Sequence, residues 1–211
     1  MNAAPNKRSN IVLYVSKSDI NSHRIKMVAA EKSVPADIIE VDTQHLPQEL
    51  IAVNLSGTLP TLVDRDLVLY DPSIISEYLD ERFPHPPLLP VYPIARAKTR
   101  LMMLRIEREW YSLANTIEAD VTSQNEIKNI KKKLAESIIS FAPVFSSLPF
   151  FLSEEFSLLD CCMAPLLWQL PKLGIIIPPQ NQAIHDYTKR IFERPSFRAS
   201  LSNYELEHED A

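Results

Sequence analysis

Five prolines crowd into ten residues, at Pro84, Pro86, Pro87, Pro90 and Pro93. No helix interior or central strand passes through such a string, because each proline removes a backbone donor and holds φ at about −65°. The chain therefore divides there. Residues 1–83 form an N-terminal part and residues 94–204 a second, with a proline-rich linker at 84–93 and an acidic tail at 205–211. Of 211 residues, 17 are Pro and only 2 are Gly, Gly57 and Gly174. Neither a G-x-G-x-x-G fingerprint nor a G-x-x-x-x-G-K phosphate loop can be written with two such distant glycines, which excludes the usual nucleotide-binding loops.

The hydrophobic share of 45% and charged share of 23% are ordinary for a globular protein, and a net charge of −5 argues against a general affinity for nucleic acid backbone. No secretory leader is read in Met1–Ser9, and no apolar run has membrane-spanning length, so the expectation is a cytoplasmic protein that binds neither membrane nor nucleic acid directly. The two cysteines, Cys161 and Cys162, are neighbours without Cys or His at metal spacing, and read as buried reduced thiols. No metal, cofactor or catalytic residue is expected.

The first part reads as a β-α-β unit followed by a hairpin. Ile11–Val15 is a buried strand, Asp19 caps a helix carrying Ile20, Met27, Val28 and Ala30, and Ile38–Val41 is a second strand. A less regular segment with Leu46, Leu50, Ile51 and Val53 leads to Gly57. Thr61–Val63 and Leu67–Tyr70 then make the hairpin. Asp71-Pro72 starts a helix, since Asp accepts from the free amides and Pro at the first position gives up a donor that has no partner. Its inward positions are expected at Ile74, Ile75, Tyr78, Leu79 and Phe83.

Beyond the prolines the pattern is helical. Leu101, Leu104, Ile106, Trp110, Leu113 and Ile117 mark one long helix, and Ile127, Ile130, Leu134, Ile138 and Phe141 another. The lysines at 128 and 131–133 read as a solvated face rather than a nucleic acid patch. Ser157 and Asp160 form a capping box with Asp in place of Glu, opening a nearly apolar helix that Pro165 bends. Ile184–Phe192 is the last expected helix. His23, His45, His185 and His208 read as ordinary surface or helix residues, and Trp110 and Trp168 as packing residues.

This order of elements, with Leu59-Pro60 before the hairpin and the Ser157–Asp160 box, resembles the glutathione transferase superfamily: a thioredoxin-like α/β domain followed by an all-α domain. The resemblance implies a cis bond at Leu59-Pro60, where Leu59 presents its backbone to glutathione. It also implies a vestigial glutathione site at Asp19, Leu59, Pro60, Asp71 and Pro72. Asp19 stands where the family carries a catalytic Ser or Cys, and an ionised carboxylate raises a nearby thiol's pKa instead of lowering it. Asp71-Pro72 replaces the family's Glu-Ser pair, so a hydroxyl and an amide are lost. At about 1.5–3 kcal/mol for each hydrogen bond to a charged group, that weakens glutathione binding by at least about two orders of magnitude.

Longer strings narrow the resemblance: Ser22-His23-Arg24, Ala30-Glu31-Lys32, Leu79 through Leu88, Pro90-Val91-Tyr92-Pro93, Ala142-Pro143-Val144-Phe145 and Ala164 through Trp168. These are similar to the stringent starvation protein A family. That resemblance implies a transferase fold without transferase activity, association with RNA polymerase holoenzyme in starvation and acid stress, with the core enzyme or its sigma factor as the contacted part, and a dimer. Without it, Pro84-His85-Pro86-Pro87 reads as a rigid connector. With it, Pro84, His85, Pro86 and Pro87 become a partner-binding surface, with Tyr92 and nearby Arg96 as weaker candidates for the same face. The alternatives are a glutathione-dependent transferase or reductase using Ser16, Ser18 or Ser22, and a subunit that forms a heterodimer with a related protein.

Overall fold

The structure is a computed structural model describing residues 11–121, 123–202 and 206. The acidic positions Glu205, Glu207, Glu209 and Asp210, with His208, lie outside the described residues. Two compact units are present. One takes in the chain up to Pro86 and resumes at Ala199; the other is Pro87–Arg198.

The first unit carries a sheet of order β2-β1-β3-β4. Strand β1 (Ile11–Ser16) is parallel to β2 (Ala36–Val41) and antiparallel to β3 (Thr61–Asp64), which pairs antiparallel with β4 (Leu67–Leu69). Parallel strands need a crossover. Helix α1 (Ile20–Glu31) provides it and is buried on nearly every side. Ser33 takes a left-handed φ of 50° just past the helix end. The irregular segment contains one short helix, α2 (Gln48–Val53). Asp71 and Pro72 open α3 (Pro72–Arg82) as their residue types require, the Asp71 carboxylate accepting from the amides of Ser73 and Ile74. Gly57 adopts a φ of +61°, and a Cβ there would lie 2.3 Å from Leu46 Cδ1.

In the second unit, α4 (Pro93–Arg105), a π-helical segment (Ile106–Tyr111) and α5 (Ser112–Ala119) make one continuous rod. Helices α6 (Gln124–Ser140), α7 (Ala142–Ser147), α8 (Leu158–Gln169), α9 (Gln182–Phe192) and α10 (Pro195–Ser200) follow. Helix α8 is the core, with Cys161 and Cys162 fully buried. Its capping box is complete, since the Ser157 amide donates to Asp160 Oδ2 at 2.8 Å. Among the described residues no helix is long and apolar enough to cross a membrane.

Three expectations need correction. Ile74 is 56% exposed, because α3 buries the i, i+1, i+4, i+5 set Ile75, Ser76, Leu79 and Asp80. Leu101, at 67%, and Leu104 are exposed too. The stripe there is Thr99, Met103, Ile106 and Trp110, and the wider π turn then shifts the inward phase to Tyr111, Ala114 and Ile117. His23 is a helix residue of α1 and is buried, its Nε2 lying 2.9 Å from Ser200 Oγ. Finally, Ile184–Phe192 is not the last helix, since α10 follows it and leads the chain back to the first unit.

Candidate functional site

Asp19, Leu59, Pro60, Asp71 and Pro72 all belong to the first unit. Thr61 pairs with Tyr14 across β1 and β3, which sets the cis Leu59-Pro60 peptide beside the end of β1 that runs into Asp19. Leu59 packs against the cluster of Tyr14, Val41 and Leu50. Arg24 Nη2 donates to Ser73 Oγ at 3.2 Å, tying the second turn of α1 to the first turn of α3. The topology thus brings the five positions to one end of the sheet.

Both carboxylates are engaged by the amides of the helices they open. Asp19 Oδ1 accepts from the amides of Asn21 at 2.9 Å and Ser22 at 3.0 Å. Asp71 Oδ1 accepts from those of Ser73 at 2.9 Å and Ile74 at 3.0 Å. An anion at either helix start competes with a carboxylate that already satisfies these donors. Pro72 contributes no amide at all. Among the serines considered as nucleophiles, Ser22 is fully buried and its Oγ accepts from the Ser16 amide at 2.8 Å, so it serves as a local brace.

The proline string lies differently. Pro84, His85, Pro86 and Pro87 are all exposed; Pro86 closes the first unit and Pro87 opens the second. The His85-Pro86 peptide is cis. In the first unit the string is anchored by Lys32, whose Nζ lies 2.6 Å from Asp80 Oδ1 and also donates to the Pro86 carbonyl. In the second, the Leu88 carbonyl accepts from the Leu158 amide at 3.0 Å, which ties the stretch after Pro87 to the start of α8. Tyr92 is 79% exposed, and Arg96 Nε donates to the Pro90 carbonyl at 2.9 Å, so Arg96 braces the turn before α4.

Lys32 and Asp80 carry no role in the sequence reading. The available signal was Asp80 itself, a carboxylate on the inward stripe of α3 beside Leu79, since a charge in that position implies a buried partner. A second group near this helix is Tyr78, whose hydroxyl donates to Asp64 Oδ2 at 2.6 Å. Burial, aided by that carboxylate, pushes the Tyr78 phenol above its usual pKa. In the second unit, burial lifts Asp160 to about 6, although Phe151, Tyr187 and Ser157 all donate to it. Burial and the facing Asp160 in turn raise Tyr187.

Residues 20–82 match the model of the glutathione S-transferase N-terminal domain and residues 101–195 that of the C-terminal domain. Solved structures agree on the fold. Glutathione transferase Omega 3C from Trametes versicolor superposes with a TM-score of 0.80 at 21% identity, over 98% of this chain and 93% of that one. The theta class enzyme of Xanthomonas axonopodis pv. citri, solved with glutathione bound, gives 0.80 at 20% identity over 92% and 97%. Much nearer in sequence is the stringent starvation protein A homolog of Coxiella burnetii, 50% identical over 202 residues, which are 95% of this chain and 96% of that protein. The homolog from Pasteurella multocida is likewise 50% identical, over 95% and 94%. With a likeness of that extent and the glutathione transferase architecture in both units, this chain belongs to the stringent starvation protein A family.

Proposed function

We propose that this chain is a transcription regulator of the starvation and stress response that binds RNA polymerase holoenzyme, through the core enzyme or its sigma factor, and performs no transferase chemistry. The observation that carries the reading is the exposed Pro84-His85-Pro86-Pro87 string anchored from beneath by Lys32. A loop already fixed in shape loses little conformational entropy on docking, and His85 offers a flat apolar face with two ring nitrogens for hydrogen bonding. The contact is protein to protein, consistent with the acidic balance of the chain. It works in the cytoplasm as a homodimer or as a heterodimer with a related protein.

The helix starts support the reading that no transferase chemistry is performed. Carboxylates Asp19 and Asp71 occupy the amides, and Pro72 supplies none. Replacing Pro84, His85 and Pro86 together by Ala tests the docking role. The variant is expected to lose co-purification with RNA polymerase while its circular dichroism stays that of the wild type. Retained co-purification overturns the site.

A further inference from the structure

We infer that Lys32 is the positioning residue of the proline loop, a clamp that holds the Pro86 carbonyl and thereby sets how His85 meets a partner protein. The inference rests on the docking reading above. A proline loop has an anchoring problem: Pro84, Pro86 and Pro87 have no amide to donate, so the loop is held mainly through its carbonyls, by donors from elsewhere. Lys32 supplies such a donor. Its side chain has no solvent exposure, and that of Asp80 has 9%.

A lysine so placed is costly to bury unless its charge is paired and its N–H groups are used. Asp80 Oδ1, at 2.6 Å, fixes the ammonium on the α3 side, and the Pro86 carbonyl takes another of its three donors. The bond to Pro86 is charge-assisted and stronger than a neutral one. The ion pair thus does more than join α1 to α3, because it aims a strong donor at the residue that follows His85. Removing the ammonium leaves every exposed residue of the loop in place chemically and frees its backbone.

The test uses the full 15N-labelled chain and purified RNA polymerase holoenzyme. Lys32→Met with Asp80→Asn removes the clamp without leaving a buried carboxylate charge. The expected result is hydrogen exchange of the His85 amide faster by about tenfold or more, and holoenzyme binding weaker by about tenfold or more. Lys32→Gln, which keeps a shorter neutral donor, falls between this variant and wild type. Leu50→Ala, which opens the separate core of Tyr14 and Val41, lowers the unfolding midpoint and leaves both readouts unchanged. Binding lost in the Pro84, His85, Pro86 triple-alanine variant but kept in the clamp variant overturns this inference and leaves the docking reading standing. Equal binding by the wild type and the triple-alanine variant overturns the docking reading, and the inference with it. An unchanged His85 exchange rate in the clamp variant overturns the clamp directly.

Discussion

Lys32 Nζ and Asp80 Oδ1 lie 2.6 Å apart in the interior of the first unit, joining the end of α1 to α3. Breaking such a pair from one side strands the other charge. Lys32→Met alone is therefore expected to cost about 3–5 kcal/mol in urea denaturation, while adding Asp80→Asn recovers most of that loss. Equal losses in the single and double variants would show that Asp80 is satisfied without Lys32.

Asp160 gives the second unit a pH dependence of its own. Its folded-state pKa is raised by burial to about 6 from an ordinary carboxylate value. The group's favourable contribution is therefore fully present below about pH 4 and is lost as pH rises through about 6. At 1.36 kcal/mol per unit, the stability gap between wild type and Asp160→Asn should shrink by roughly 2–3 kcal/mol from pH 4 to pH 7 in denaturant titrations. A gap that widens with pH would mean that the donors from Phe151, Ser157 and Tyr187 outweigh burial.

Gly57 is needed both for its backbone and for its missing side chain. At φ +61° an L-residue pays about 1–2 kcal/mol, and the added Cβ also meets Leu46 Cδ1 at 2.3 Å. Gly57→Ala should lower stability by about 2 kcal/mol or more in thermal unfolding, and by less in a Leu46→Ala background. The same loss in both backgrounds would assign the whole effect to φ.

The glutathione position yields to restoration. Wild type is expected to show no micromolar binding of glutathione in calorimetry. Pro72→Ser returns a hydroxyl and an amide, Asp19→Ser returns a second hydroxyl in place of a carboxylate, and together they should strengthen any binding by at least about two orders of magnitude. Micromolar binding by the wild type, with turnover of an electrophile, would contradict the reading of Asp19 and Pro72.

Local chemistry was legible wherever one residue type has one use. Asp19 and Asp71 cap their helices, Pro72 takes the first helical position, and the Ser157–Asp160 box closes as written. Periodicity misled where apolar residues lie off the buried face: Leu101 and Leu104 are exposed, while the stripe before the π turn runs through Thr99, Met103, Ile106 and Trp110. What tertiary folding alone brings together was not legible. His23 finds Ser200 across 177 residues, and Lys32 finds Asp80 across 48. The loop residues Pro84–Pro87 are exposed, and the donor that holds the Pro86 carbonyl comes from a helix end distant in sequence.

In the proposed complex the proline string is the surface that meets the polymerase. The most direct measurement is a cryo-electron microscopy reconstruction of RNA polymerase holoenzyme with the full chain bound. The expected result places His85 within about 4 Å of a polymerase or sigma side chain, with Pro84 and Pro86 in the same contact. A bound chain whose Pro84–Pro87 string faces solvent, with another surface against the polymerase, would contradict it.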